Sequence, residues 1–295
     1  MKTLNRKRLE PYFYISPAFS LVFIFVVIPV IIGIGTAFVH YKLTNPNIYF
    51  NGVQNFIAIF RERSFAKVLR NSFFWVVWSL SLQLFFGFTL AMLLNKPFRG
   101  RQLYQSVVLA PWAVSGFLIG IIWKWLFNGQ YGLINDIMMR LRLVGEPVSF
   151  LSSPSLALPA AIVANVWYGI PFFTIMSLAA LQSIPNEIYE AADIDGAGWT
   201  RKFFCITLPY IRPTLLVTVL LRVIWIFNFA DIIYIITAGG PNFSSEILAT
   251  SVVFKAFTGL DFGQASAMGV VFMLILMAYL LLYLRITRFE KADDF

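Results

Sequence analysis

Residues able to do covalent or metal chemistry are scarce in this chain. It has one cysteine, Cys205, and one histidine, His40, so a single copy can assemble neither a disulfide framework nor a His/Cys metal site. There is no GxxxxGK sequence to cradle a phosphate and no Ser/His pair set for nucleophilic attack. Non-catalytic work, with no cofactor held by the chain itself, is the expectation. What remains is a set of polar and aromatic residues inside strongly apolar segments: Asn165, Trp167, Tyr168, Arg222, Trp225, Asn228, Phe229 and Asp231. Flat aromatic faces suit the apolar C–H surface of a small ligand, and amides or carboxylates suit its hydroxyl groups. Trp225, Asn228 and Phe229 follow three- and four-residue steps that place them on one sector of a helix, with Asp231 one further step toward the outside. Asn165 and Tyr168 are likewise three apart. Each has a plainer reading, since aromatics gather at membrane interfaces and intramembrane Asn often bonds another helix. Arg222 lies too far along the chain to pair with Asp231 on one helix, and its long side chain is expected to snorkel toward the cytoplasmic face.

The elements that position these residues follow from composition. Of 295 residues, 59% are hydrophobic and 13% charged, and the long apolar stretches leave too few polar groups to cover a water-facing surface. A helix needs roughly 20 apolar residues to cross the hydrocarbon layer. Six segments qualify, near Ile15–Val39, Ser72–Leu94, Ser106–Phe127, Leu158–Leu181, Thr214–Thr237 and Gln264–Leu284, which predicts an all-α polytopic membrane protein built as one domain over residues 1–295. The first is read as a retained helix because no small-residue cleavage pattern follows it. The net charge of +9 lies in short groups between spans, which argues for membrane topology rather than nucleic acid. With both termini in the cytoplasm, the inner pieces hold thirteen Lys/Arg and the outer pieces eight, five of them (Lys42, Arg61, Arg63, Lys67, Arg70) in the first outer loop. Gly116 and Gly120 have the small-xxx-small spacing of a helix contact, and Pro29, Pro111 and Pro171 are candidate bends.

The polar stretch from Ser183 to Pro213 is too long for a turn and too patterned for a linker. Pro185 suits a helix start, with Asn186, Glu187 and Glu190 near the positive end, and Gly196 and Gly198 interrupt that helix. A second short helix is expected from Trp199, stopping before Pro209. Such an element is shaped to press on a soluble partner.

The string Glu190, Ala191, Ala192, three positions to Gly196, then nine to Ile206, Thr207, Leu208 and Pro209 resembles, without a gap, the EAA loop of ABC importer permeases. The wider run from Ile184 to Pro213 is similar to the carbohydrate-uptake branch, which includes the maltose and glycerol-phosphate permeases. Phe227, Asn228, Asp231, Tyr234, Thr237, Gly239, Gly240 and Pro241 resemble the end of span five in that branch, with Ala230 where many relatives have an aromatic.

The resemblance implies that Glu190–Ala192 form a coupling helix docking into an ATPase, Glu190 facing a basic group there, with Gly196 turning the chain and Ile206, Leu208 and Pro209 completing the motif. It also implies a second, homologous permease chain, two ATPase subunits that use ATP and Mg, an extracytoplasmic solute-binding protein, an inner-membrane location and import by alternating access. The function expected is ATP-driven import of a sugar, oligosaccharide or polyol, with Asn165, Tyr168, Trp225, Asn228, Phe229 and Asp231 as candidate solute contacts. Import of a glycerol phosphate and ion-coupled secondary transport are the alternatives, the latter disfavoured because the sequence has no convincing internal repeat.

Overall fold

The computed structural model describes residues 14–287, so the terminal charges Lys2, Arg6, Lys7, Arg8, Arg288 and Lys291 lie outside the described residues. Helices α1 (Tyr14–Thr36), α3 (Phe65–Asn95), α7 (Ala157–Gln182), the run Trp199–Ile236 and α13 (Phe262–Thr287) are each long and apolar enough to cross a bilayer. A sixth crossing is made if α4 (Arg101–Leu109), with its following turn, and α5 (Gly116–Leu126) count as one bent span. Shorter helices lie between them: α2 (Gln54–Arg61), α6 (Leu133–Arg140), α8 (Asn186–Ile194), α9 (Trp199–Lys202), α10 (Leu208–Asn228), α11 (Asp231–Ile236) and α12 (Leu248–Val253), α9 to α11 making up the Trp199–Ile236 run. The all-α expectation holds apart from one hairpin, β1 (Val39–Lys42) with β2 (Asn45–Phe50).

Three expected boundaries need correction. The first span ends at Thr36, because Val39–Lys42 is taken into the antiparallel ladder, Val39 opposite Phe50 and His40 opposite Tyr49. The third is broken by 97°. Pro111 sits in a 3-10 turn over Ala110–Ala113, Val114 and Ser115 are extended, and the Ser115 hydroxyl then accepts the Leu118 amide at 3.4 Å to start a new helix. The second loop helix does not stop at Pro209. Phe203–Thr207 form a π turn in which the Leu208 amide donates to Phe203 O, and α10 continues through Pro209 and Pro213. A proline ring clashes with the carbonyl four residues earlier, here inside the widened turn, where the extra residue moves that carbonyl away. The same device recurs at the π turn Phe23–Val27, two residues before Pro29.

Where the sequence suggested one domain, the described residues pack as two compact units, one running through Glu62 with Val252–Met273, the other comprising Arg63–Ser251 with the stretch from Leu274. In the first, the Asn55 amide donates to Ala37 O and Val39 O, both at 2.9 Å, holding α2 against the hairpin's first strand. Lys255 pairs with Glu62. In the second, α3 lies along α7, and the fit depends on Gly87, where a Cβ would stand 2.5 Å from Phe173 Cβ and 3.0 Å from Ile170 O. Trp75 Nε1 donates to Ile226 O at 2.9 Å and Tyr283 Oη to Leu216 O at 2.8 Å, fastening α3 and the end of α13 to α10. The Asn71 amide reaches Phe243 O, Ser244 O and Glu246 O, so the loop before α12 is tied to α3.

Gly87→Leu should therefore lower the unfolding midpoint, followed by tryptophan fluorescence in detergent, by overpacking of about 1–3 kcal/mol. Gly33→Ala, inside α1 where the new Cβ meets nothing within 4 Å, should not lower it.

Candidate functional site

Two places combine geometry with unusual chemistry. At the first, α8 begins after Pro185, which caps it in an extended conformation, and carries Glu187 in its first turn. Ile184 joins Ala91, Ala180, Leu181 and Ile211 in a buried cluster that anchors the helix start to α3, α7 and α10. The far end is closed by Gly196 at φ +70°, a conformation open mainly to glycine, while the Ala197 amide donates to Ala192 O at 2.9 Å. Tyr189 Oη lies 2.8 Å from Thr207 Oγ1, and Asp193 pairs with Lys202, so α8 is fastened to the π turn and α9 as one body.

Glu190 and Ala191 face outward, whereas Ala192 is buried, so the small size of Ala192 serves packing within the loop. Ile206 and Leu208 are half-buried and Pro209 exposed. In the same loop Ile194, 88% exposed, Trp199 and Phe204 are apolar side chains left uncovered among the described residues.

The second place is a cavity of about 150 Å³ in the same unit, lined by Trp112, Asn165, Tyr168, Arg222, Trp225, Ile226 and Phe229. Tyr168 and Phe229 stack at 5.1 Å with their rings 6° apart, and Phe172 backs Trp112 and Trp225 at 5.8 and 5.0 Å. Four of the six expected contacts thus meet in one place. Two do not. Asn228 is exposed and donates to Ile224 O of its own helix at 2.8 Å. Asp231 opens α11, because the helix breaks at Phe229, so it does not continue the sector of Trp225. The break lets Phe229 and Asp231 meet α5: a Cβ on Gly116 would lie 2.5 Å from Phe229 Cζ and 3.5 Å from Asp231 Oδ2, and one on Gly120 would lie 2.8 Å from Ile235 Cβ. The small-xxx-small pair is thus a helix contact.

The expectation for Arg222 is overturned. It is 4% exposed and does not reach for an aqueous face; its Nε donates to Gln83 Oε1 at 2.7 Å and its guanidinium lies 5.7 Å from the Phe172 ring centre. Gln83 in turn donates to Asn165 O at 2.9 Å, joining α3, α7 and α10. Gly169 makes room, since any Cβ there would overlap both Gln83 and Arg222. Burial between helices supplies hydrogen-bonding groups nearer than the membrane surface. The Asn165 side chain has both polar atoms buried and without hydrogen-bond partners. Sequence reasoning missed Gln83, Trp112 and Phe172; an amide within an apolar run was the available signal for Gln83.

Long apolar helices, a braced polar loop between two of them and an aromatic cavity between helices are the features of a membrane permease. The chain belongs to the binding-protein-dependent transport system inner membrane component family, whose pattern it matches over residues 83–289. It is 34% identical to a trehalose/maltose transport system permease protein of Thermococcus litoralis, over 95% of this chain and 94% of that one. It is 35% identical to a sulfoquinovosyl glycerol transport system permease protein of Agrobacterium fabrum, over 95% and 91%. A chain in the crystal structure of a bacterial ABC transporter that imports the acidic polysaccharide alginate superposes with a TM-score of 0.82 at 25% identity, over 97% of each. The protein is an inner-membrane permease of the ABC importer class.

Gln83→Leu should destabilise the folded protein by about 1.5–3 kcal/mol, because it removes a hydrogen bond to a buried charge. Gln83→Glu keeps the acceptor for Arg222 but loses the donor to Asn165 O, so it should cost less than Gln83→Leu; denaturant titration of both variants in detergent checks this.

Proposed function

We propose that this chain is the non-catalytic translocation subunit of an ATP-driven importer for a saccharide or related polyol, and that the Trp112–Asn165–Tyr168–Trp225–Phe229 cavity forms part of the solute's path. The observation carrying the reading is the unpartnered amide of Asn165, wholly buried beside aromatic faces. A hydroxyl-bearing ring would satisfy that donor and acceptor while stacking on Tyr168, Trp225 or Phe229. The relatives that transport trehalose/maltose and sulfoquinovosyl glycerol support a glycosidic solute.

The cavity is smaller than the roughly 300–1,000 Å³ of a complete ligand site, which favours a second wall from a homologous permease chain. The outward Glu190 and Ala191, beside the uncovered Ile194 and Trp199, favour docking of α8 on a cytoplasmic ATPase, two of which would bind ATP and Mg. The charge distribution favours both termini in the cytoplasm. A solute-binding protein would deliver cargo on the other face; a solved alginate transporter is in complex with its saccharide-bound periplasmic protein. Arg222 on the cavity wall keeps a glycerol phosphate as the second reading, since a phosphate would meet a cation there.

Calorimetric titration of the cognate solute-binding protein with sugars and polyol phosphates separates the two readings. In the reconstituted transporter, Asn165→Ala should raise the half-saturating solute concentration or lower the uptake rate about tenfold, the equivalent of one good hydrogen bond. Asn228→Ala should have the smaller effect; equal uptake by wild type and Asn165→Ala would remove the cavity from the path. Glu190→Ala should leave assembly intact but lower solute-stimulated ATP hydrolysis severalfold, and wild-type stimulation would contradict the docking role.

A further inference from the structure

The segment that follows α1 is apolar in a place where a water-facing loop would be polar. Over 23 residues α1 is about 35 Å long, slightly more than the about 30 Å of hydrocarbon, so its end at Thr36 stands at a membrane surface. β1 begins three residues later. Three ties hold the hairpin and α2 at that level. Asn55 bonds Ala37 O and Val39 O; the Leu43 amide donates to Leu260 O at 2.9 Å, next to the bridge between Lys42 and Asp261; and Gly263, at the start of the long α13, lies so close to Val39 O that a Cβ there would overlap it. Two spans therefore emerge beside the hairpin.

Beside exposed Thr44, Asn47 and Gln54, the hairpin and the start of α2 turn several large apolar side chains outward. Phe50 is 76% exposed and Ile48 61%, and Leu43, Tyr49, Val53 and Phe60 are also exposed. Exposed cationic Arg61 closes α2. A two-stranded hairpin is marginal in water unless an apolar face is covered. Aromatic and aliphatic side chains with a nearby cation are the composition of the headgroup boundary. The cover is continuous with one already required, because the apolar side chains of α1 are exposed along the helix and lead directly into the hairpin.

We propose that β1, β2 and α2 form an interfacial skirt, with Ile48, Phe50 and Val53 inserted among the headgroups and upper acyl chains of the leaflet at which Thr36 emerges. The occupant of this surface is lipid, and the skirt fixes the height and tilt of α1.

The test uses the complete transporter, purified with its partner subunits and reconstituted in phosphatidylcholine/phosphatidylglycerol vesicles. Cys205→Ser removes this chain's own cysteine, any cysteines of the partner subunits are likewise replaced by serine, and nitroxide labels are placed at Ile48→Cys and Phe50→Cys. Phe25→Cys in α1 serves as the lipid reference and Gly145→Cys as the aqueous one. The ratio of collision with oxygen to collision with a nickel chelate should be severalfold above the aqueous reference and below the lipid one. A ratio equal to the aqueous value overturns the proposal, as does an immobilised label reached by neither reagent, which would mark a protein partner. Should labelled variants fail to assemble, quenching by brominated lipid of Tyr49→Trp over the unsubstituted transporter decides: added quenching supports the skirt, and none overturns it.

Discussion

A guanidinium in the middle of a membrane-spanning bundle must find hydrogen-bonding groups inside the protein, and that constraint organises the larger unit. Arg222 meets it through Gln83, which also holds Asn165 O, so that one amide joins three helices. The arrangement needs Gly169, the position on α7 that leaves space for both side chains. Packing follows from there: α3 lies against α7 through Gly87, Trp75 fastens α3 to α10, and the aromatic rings of Phe172, Trp225, Tyr168 and Phe229 fill the space around the cluster. Phe172 contributes a ring face to the cation as well as apolar volume.

The same cluster borders the cavity, so the residues that stabilise the bundle adjoin the proposed solute path. Arg222 and the Asn165 backbone are engaged in structure, while the Asn165 side chain is left with unsatisfied hydrogen-bonding capacity. An unpaired buried amide is costly, and its retention beside stacked aromatics is what a transient polar ligand would compensate. The loop between α7 and α10 shows the complementary arrangement. Tyr189 holds α8 to the π turn and Asp193 holds it to α9, while Glu190 and Ala191 face outward on the braced element. Because that π turn runs directly into α10, the helix carrying Arg222 and Trp225, movement of the loop has a continuous helical route to the cavity.

Proline and glycine show how local rules are bent by tertiary context. Pro209 follows a π turn and leaves the helix continuous, whereas Pro111 sits in a 3-10 turn and the span breaks. Both obey the same chemistry, a missing amide and a crowded carbonyl. They differ in whether the preceding turn widens or the following residues extend.

The sequence by itself determined the membrane-spanning helices, because a run of about 20 apolar residues has one stable solution in lipid. It also made the family legible, since Glu190 to Pro209 is a local pattern that can be read without contacts. Trp225, Phe229, Asn165 and Tyr168, which line one cavity, were legible as a set because aromatic and amide residues stand out against apolar helices. Only the tertiary structure decided which of their neighbours joined them. Gln83 and Arg222 are 139 residues apart, and no periodicity reports that their helices touch. Nor does spacing along a helix survive the break at Phe229, which sends Asp231 to Gly116 and leaves Asn228 on its own helix face. Local pattern encodes what the backbone does in a given solvent; pairing of distant polar groups is settled by helix packing.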